Sequence, residues 1–230
     1  MARAIHTEEC LQAFCGNISS CQLTKEDIDL LNSHRVEVKY NKGEMICKQG
    51  TFANHLIYIK EGLSKSYLEE DQNVQIICVN PGNCILGIQS LTSPGIFHYS
   101  VAALEDVYTC LFEMDVVKEI ALRNPGFAFS LLNRANEAQV LTYDRFFSLT
   151  MKQLHGRMAD ILLCLANRVY KSDEFTVNLS RKDLAELTAM SNESATRILK
   201  DFKADKIIDL EGKKVCILDK NKLTQVSRFG

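Results

Sequence analysis

A change of rhythm near residue 114 divides this 230-residue sequence into unlike halves and leaves few architectures open. From Leu23 to Glu113 the chain is punctuated by Lys42-Gly43-Glu44, Gln49-Gly50, Glu61-Gly62, Glu70-Asp71-Gln72-Asn73 and Asn80-Pro81-Gly82-Asn83. These turn formers recur at roughly ten-residue intervals and separate short runs rich in β-branched and aromatic residues. The clearest runs are Leu56-Ile57-Tyr58-Ile59, Val74 to Val79 and Val107 to Phe112. Such spacing predicts a small barrel or double-sheet roll.

From Asp115 onward glycine and proline nearly vanish, and the apolar period lengthens to that of a helix. Asn124-Pro125-Gly126 is the exception. It separates an expected short helix (Asp115–Arg123) from an expected long one (Phe127–Leu154). Leu131, Leu132, Ala135, Ala138, Leu141, Phe146, Leu149 and Leu154 form a stripe longer than one small domain needs. Self-pairing into a homodimer would bury it; a bent helix lying on the roll would show the same period.

The most informative stretch runs from Leu179 to Lys200. Ser180 and Asp183 have the spacing of a capping box, and Leu184, Ala185 and Leu187 supply an inward face. Thr188-Ala189-Met190 is a short turn, after which Ser191 is placed to cap a second helix with Ala195, Ile198, Leu199 and Phe202 on its apolar side. Glu193 and Arg197, four apart, share the opposite face. Arginine offers a bidentate fork to guanine, and a carboxylate accepts from cytosine N4. Arg181, Asn192, Ser194, Thr196 and Lys200 are expected near phosphates or base edges, and Lys213 and Lys214 on a following hairpin near phosphates. The simpler alternative for Glu193 and Arg197 is a surface ion pair.

Composition adds limits. The net charge of -2 makes no general case for nucleic acid, but Leu179–Gly230 carries 11 basic and 8 acidic residues against a balance of -5 for residues 1–178. No apolar run is long enough to span a bilayer and the start lacks a secretory signal, so a cytoplasmic protein without membrane association is expected. No pairing of nucleophile and histidine, no paired carboxylates and no phosphate-cradling loop points to an enzyme.

With these blocks in place the chain resembles the CRP/FNR superfamily of bacterial transcription regulators. The resemblance runs from about Leu23 through the hairpin and is most specific at residues 43–50, 56–62, 81–83 and 179–200. It implies an α+β chain: a cyclic-nucleotide-binding-like jelly-roll β-barrel, a long dimerisation helix and a C-terminal winged helix-turn-helix. The expected divisions are a cysteine-containing tail (1–22), sensor roll (23–123), dimerisation helix (124–154) and DNA-binding domain (155–230). The resemblance also implies a near-palindromic double-stranded operator, Glu193 and Arg197 as base readers, and RNA polymerase as a partner if the protein activates. A ligand-binding module acting on a protein partner, without operator binding, is the alternative.

Two features bear on the signal. Where cyclic-AMP-binding members carry a Gly-Glu-Leu block and an Arg-Ser pair, this chain has Gly87-Ile88-Gln89 and Phe97-His98. Further on, the adenine-contacting pair falls on Thr142 and Tyr143. Loss of the phosphate-binding arginine argues against cyclic AMP, though not against an apolar or aromatic effector. Cys10, Cys15 and Cys21 form C-x4-C-x5-C, and Cys110 stands near the end of the roll. The oxygen-sensing branch holds a [4Fe-4S] cluster through three N-terminal cysteines and one at the place of Cys110, but with a shorter first gap. A cluster, tetrahedral zinc, thiol redox chemistry and a role without metal all stay open. Haem through His34, His55, His98 or His155 is a further option.

Overall fold

The computed structural model describes Phe14, Cys15, Cys21 and residues 23–92 and 95–230. By contacts the chain forms two compact units. The first comprises residues 1–64 and 80–140, the second residues 65–79 and 141–230.

The first unit contains the sheet β1-β8-β3-β6, made of Arg35–Tyr40, Val107–Glu113, His55–Glu61 and Cys84–Leu86. Strand β8 lies antiparallel between β1 and β3, with Cys110 opposite Glu37 on one side and Tyr58 on the other. Strand β8 is exposed at Tyr108 and Glu113, near its two ends, while Val107, Thr109, Cys110 and Phe112 are buried; β3 is buried from Leu56 to Ile59. A second sheet has the order β2-β7-β4-β5, formed by Met45–Cys47, Ser100–Ala103, Ser64–Glu70 and Asn73–Asn80. Gly62 shows why the expected turn residues recur. Its φ is +93°, and an added Cβ would lie 2.3 Å from the Asp106 carbonyl oxygen.

Helix α1 (Lys25–Ser33) opens on a complete capping box between Thr24 and Asp27. Asp27 is nearly inaccessible and also accepts from Arg123 Nε and Nη2 at 3.1 and 2.8 Å. Burial alone would raise the Asp27 carboxyl, but the bonds from Thr24, Arg123 and Asn124 outweigh it and hold the group below the ordinary aspartate range. Helix α2 spans Met114–Arg123 and α3 spans Pro125–Met151. Proline at the first position of α3, with Asn124 Oδ1 accepting from Phe127 N at 3.0 Å, fixes its start two residues earlier than periodicity suggests. The α3 surface keeps Leu132, Val140, Tyr143, Phe146, Phe147 and Met151 exposed.

In the second unit α3 turns at Lys152-Gln153 into α4 (Leu154–Cys164), which continues as a π-helical turn over Leu165–Val169. The three-stranded sheet β10-β11-β9 (Ile208–Glu211, Lys214–Ile217, Glu174–Thr176), helices α5 (Arg181–Thr188) and α6 (Asn192–Ala204), and a final helix α7 (Lys220–Phe229) complete it. Its core includes Met158, Leu162, Leu184, Ile198, Phe202 and Leu223. The β4–β5 hairpin belongs to this unit because β5 is an edge strand whose outward carbonyls are occupied. Arg145 Nε donates to the Ile77 oxygen at 3.2 Å and Arg168 Nη2 to the Val79 oxygen at 2.9 Å. Among the described residues no helix is long and apolar enough to cross a membrane.

Candidate nucleic-acid interface

Both helices of the motif begin as their sequence spacing predicts. Ser180 Oγ accepts from Asp183 N at 3.0 Å while Asp183 Oδ2 accepts from Ser180 N at 2.8 Å, closing the box at the start of α5. Ser191 Oγ accepts from Ser194 N at 3.1 Å at the start of α6. The turn between them passes through Ala189, whose φ of 49° and ψ of 53° are left-handed. Thr188 is fully buried, its hydroxyl donating to the Leu184 oxygen at 2.6 Å.

Helix α6 is sharply two-sided. Ala195, Ile198, Leu199 and Phe202 face inward, each at most 2% exposed. Asn192, Glu193, Arg197 and Lys200 are exposed, and Ser194 and Thr196 are half-buried. The outward residues span two turns, and Glu193 in the first turn complements the positive end of the helix dipole. Such a face can present a guanidinium fork and a carboxylate to the floor of a major groove, with shorter polar groups beside them.

The strand pair β10–β11 forms the wing, with Gly212 in its turn at φ +60°. Lys213 and Lys214 are both exposed, but they are not equivalent. Lys214 Nζ pairs with Glu174 Oε1 at 2.5 Å, and that hydrogen bond raises the Lys214 ammonium above the ordinary lysine range. Half-buried Arg181 does not simply project outward. Its Nη2 reaches the Gly212 oxygen at 3.4 Å and joins the start of α5 to the wing tip.

Three features of this unit escape a reading by local pattern. Lys65 Nζ pairs with Asp183 at 2.5 Å, and Gln75 Nε2 donates to the Glu186 oxygen at 2.5 Å, so the β4–β5 hairpin holds α5. Arg145 donates to the Leu187 oxygen as well as to β5. A cleft of about 450 Å³ lies beside the recognition helix, lined by Lys152, Gln153, His155, Arg157, Arg197 and Ile198 among others. The only local hint of these was the presence of long cations outside the motif itself.

The residues proposed for the signal fall in different places. In the first unit, Ile88 and Gln89 open a 3-10 turn after Gly87; Ile88 is buried and Gln89 exposed. Phe97 is buried and His98 exposed. Thr142 and Tyr143 belong to the second unit and are exposed on α3. Cys15 and Cys21 are joined in a disulfide, with Cys21 Sγ 3.6 Å from Ser130 Oγ on α3. Phe14 beside them is fully buried against Phe112 and Phe127, with ring centroids 4.9 and 5.6 Å away. Cys110 is buried on β8 and is not disulfide-bonded; Cys10 lies outside the described residues. A [4Fe-4S] cluster or zinc would need four thiolates. With two of the expected ligands joined to each other, the disulfide form of the protein does not present that donor set. Of the histidines, His34 bonds Glu113 at 3.0 Å and His155 lies 3.4 Å from Asp201.

Comparison with known proteins agrees with this geometry. Residues 37–124 match the family model of the cyclic nucleotide-binding domain, and residues 156–226 that of the Crp-like helix-turn-helix domain. Electron transport regulator A of Shewanella oneidensis is 25% identical over 96% of this chain and 89% of its own length. The anaerobic regulatory protein of Haemophilus influenzae is 23% identical over 97% of this chain and 88% of its own. The structure of FixK2 from Bradyrhizobium japonicum superposes with a TM-score of 0.77 at 20% identity, covering 84% of this chain and 96% of that one. A roll matching the first family, an outward-facing capped helix inside a match to the second, and relatives aligned nearly end to end converge on one assignment: the chain belongs to the CRP/FNR superfamily and is a DNA-binding transcription regulator, not an enzyme.

Proposed function

We propose that this regulator acts in the cytoplasm as a homodimer that reads a near-palindromic operator through Glu193 and Arg197, and that its DNA binding answers the redox state of the cell. The observation that carries the DNA-reading part is the exposure of both side chains on a helix whose opposite face is locked into the core. Dimerisation is supported by the exposed apolar surface of α3, including Tyr143, Phe146, Phe147 and Met151. In such a dimer the two recognition helices would enter successive major grooves about 34 Å apart. Asn192, Ser194, Thr196 and Lys200 flank the readers, while Arg181, Lys213 and Lys214 serve the backbone. RNA polymerase is the further partner where the bound dimer activates.

The redox part rests on the Cys15–Cys21 disulfide, which fastens the segment carrying Phe14 beside α3, and on relatives named for anaerobic and electron-transport regulation. Reduction removes the tie and leaves two thiols; the two electrons and two protons come from a cellular dithiol. A cluster is not part of this proposal, because its four thiolates are not offered together.

Selection of bound sequences from random duplex DNA, followed by titration, tests the first claim. Wild-type protein is expected to enrich a two-half-site sequence and to lose affinity as salt rises. Arg197→Ala is expected to bind that sequence about 10–100-fold more weakly, the range of one bidentate base contact. Enrichment of no sequence, or equal binding by Arg197→Ala, would sink the reading. For the second claim the titration is repeated with dithiol-reduced and oxidised protein; identical affinities, with Cys15→Ser behaving as wild type, would refute it.

A further inference from the structure

The cleft beside the outward face of α6 contains a group that titrates near neutral pH. His155 Nε2 stands 3.4 Å from Asp201 Oδ2, one helical turn beyond Arg197 on α6, and its ring packs edge-on with Phe202, centroids 5.9 Å apart. The His155 and Asp201 side chains are 48% and 49% exposed, so both stay in contact with water. Arg197 and Ile198 line the cleft from α6. Arg157, further along α4, is fixed by its Nε donating to the Lys152 oxygen at 2.9 Å and its Nη1 reaching the Ala189 oxygen after α5 at 3.4 Å. Lys152 at the turn pairs with Asp160 at 2.8 Å, so those two charges cancel. On the α7 side the Gly230 oxygen accepts from Gln153 N at 3.2 Å. With His155 neutral, Arg157 and Arg197 against Asp201 leave the cleft a single positive charge, and a proton on His155 doubles it. Histidine is the side chain that gains or loses its charge between about pH 5 and 8.

We infer that His155 is a proton-dependent part of the DNA interface, so that this regulator holds its operator more tightly as pH falls from about 8 to about 6. Arg197 places the mouth of the cleft where α6 meets DNA, and duplex DNA carries dense negative charge. Asp201 repels that charge while His155 is neutral. Once protonated, the ring offsets Asp201 and brings a further cation beside the reader. The exposed pair contributes little to stability in either state; its charge matters because a polyanion binds next to it. The sign follows from linkage. The protonated form binds DNA better, so affinity is highest below the histidine range and is lost as pH rises through it. All the residues involved belong to the second unit. This inference rests on the reading of DNA by the α6 face, and it adds a pH response to that face.

The test is titration of the selected operator with the full chain at about pH 6 and about pH 8, at several salt concentrations and with the Cys15–Cys21 disulfide intact. At the lower pH wild type is expected to bind about threefold more tightly per protomer, about tenfold for a dimer. Its slope of log affinity against log salt should steepen by up to about 0.9 per protomer. His155→Gln keeps a polar side chain without the charge, and is expected to bind at both pH values as wild type does at the higher one. His155→Lys fixes the charge, and is expected to bind at both as wild type does at the lower one. A structural role for the ring would move the two variants in the same direction; a charge role separates them. Calorimetry in buffers of different ionisation enthalpy supplies a second readout: wild type should take up protons on binding near neutral pH, and His155→Gln none. Wild-type affinity independent of pH, or a pH response retained by His155→Gln, would overturn the inference. Failure to select any operator, or equal binding by Arg197→Ala, would instead remove the reading of DNA beneath it.

Discussion

Replacing Asp183 with alanine perturbs the reading head without touching a base-reading side chain, and its effect can be worked out in parts. Asp183 is 14% exposed; it accepts from Ser180 N and Oγ and pairs with Lys65, itself 21% exposed. Loss of the cap costs about 1 kcal/mol. Stranding a largely buried cation costs up to about 3–5 kcal/mol, but Lys65 is long enough to carry its ammonium back toward water, so about 1–2 kcal/mol is expected from that part. The total is about 2–3 kcal/mol. A double-mutant cycle with Lys65→Met, followed by urea unfolding and circular dichroism because the chain has no tryptophan, isolates the pair. A coupling of about 1–2 kcal/mol is expected near neutral pH. Burial raises the Asp183 carboxyl, but the bonds from Lys65 and Ser180 outweigh it, so its value lies below the ordinary 3.8. A carboxyl depressed in the folded state contributes stability above its unfolded value and loses it as pH falls through the folded one. The coupling should therefore be flat from neutral pH to about 5 and vanish in strong acid. A neutral-pH coupling below about 0.3 kcal/mol, the size of an exposed pair, would refute the claim that the hairpin holds α5 through this contact.

Further outcomes follow from the same structure. Phe146→Glu together with Phe147→Glu places two charges on the exposed apolar surface of α3, and sedimentation is expected to show monomers while circular dichroism stays near wild type. Persistence of the dimer would mean that another surface joins the subunits. In the wing, Lys213→Ala should lower the slope of log affinity against log salt by about 0.9, one phosphate contact. Lys214→Ala should lower it less, because Glu174 already holds that ammonium; equal slopes would show that the ion pair opens on DNA.

How far the sequence alone leads depends on the range of the interactions involved. The two caps at Ser180 and Ser191 join residues three apart, and the inward face of α6 repeats within one helix, so both are written in local pattern. Proline and asparagine at the start of α3 act over the same short range. The left-handed turn at Ala189 is less apparent, since no glycine marks it; tertiary packing around buried Thr188 imposes it. Helix α7 is missed for a related reason. Its signal is one capping aspartate, Asp219, whose side chain accepts from Lys222 N at 2.8 Å, and a sparse apolar face around Leu223. Asp160 and Arg145 are beyond such reading altogether, because their partners are as far as 67 and 68 residues away in sequence. At the N-terminus the pattern C-x4-C-x5-C limits which thiols can meet, but redox state decides whether two of them are ligands or a disulfide.

Cyclic AMP provides a last and opposing kind of test, because here the fold matches a nucleotide-binding family while the residues argue against the ligand. A cyclic phosphate carries one negative charge, and burying it without a cation costs several kcal/mol. By the resemblance, the place of the family's phosphate-binding arginine falls on Phe97, which is 7% exposed and whose Cε1 would lie 3.1 Å from a Cβ added at Gly87. The Gly87 amide donates to the Tyr99 hydroxyl at 3.0 Å, so a nearby backbone donor is already occupied. If the nucleotide bound the folded protein with a Kd of about 10 μM, a concentration of about 1 mM would add about 2.7 kcal/mol of stability. For a chain of this size that raises Tm by about 5–10 °C. The expected shift is below about 1 °C, measured by thermal unfolding with and without nucleotide. A rise of several degrees, repeated in Phe97→Ala, would mean that some other cation reaches the phosphate and that the ring has not closed the site. A rise confined to Phe97→Ala would place the barrier in the ring itself, and the missing charge would then matter less than the occupied space.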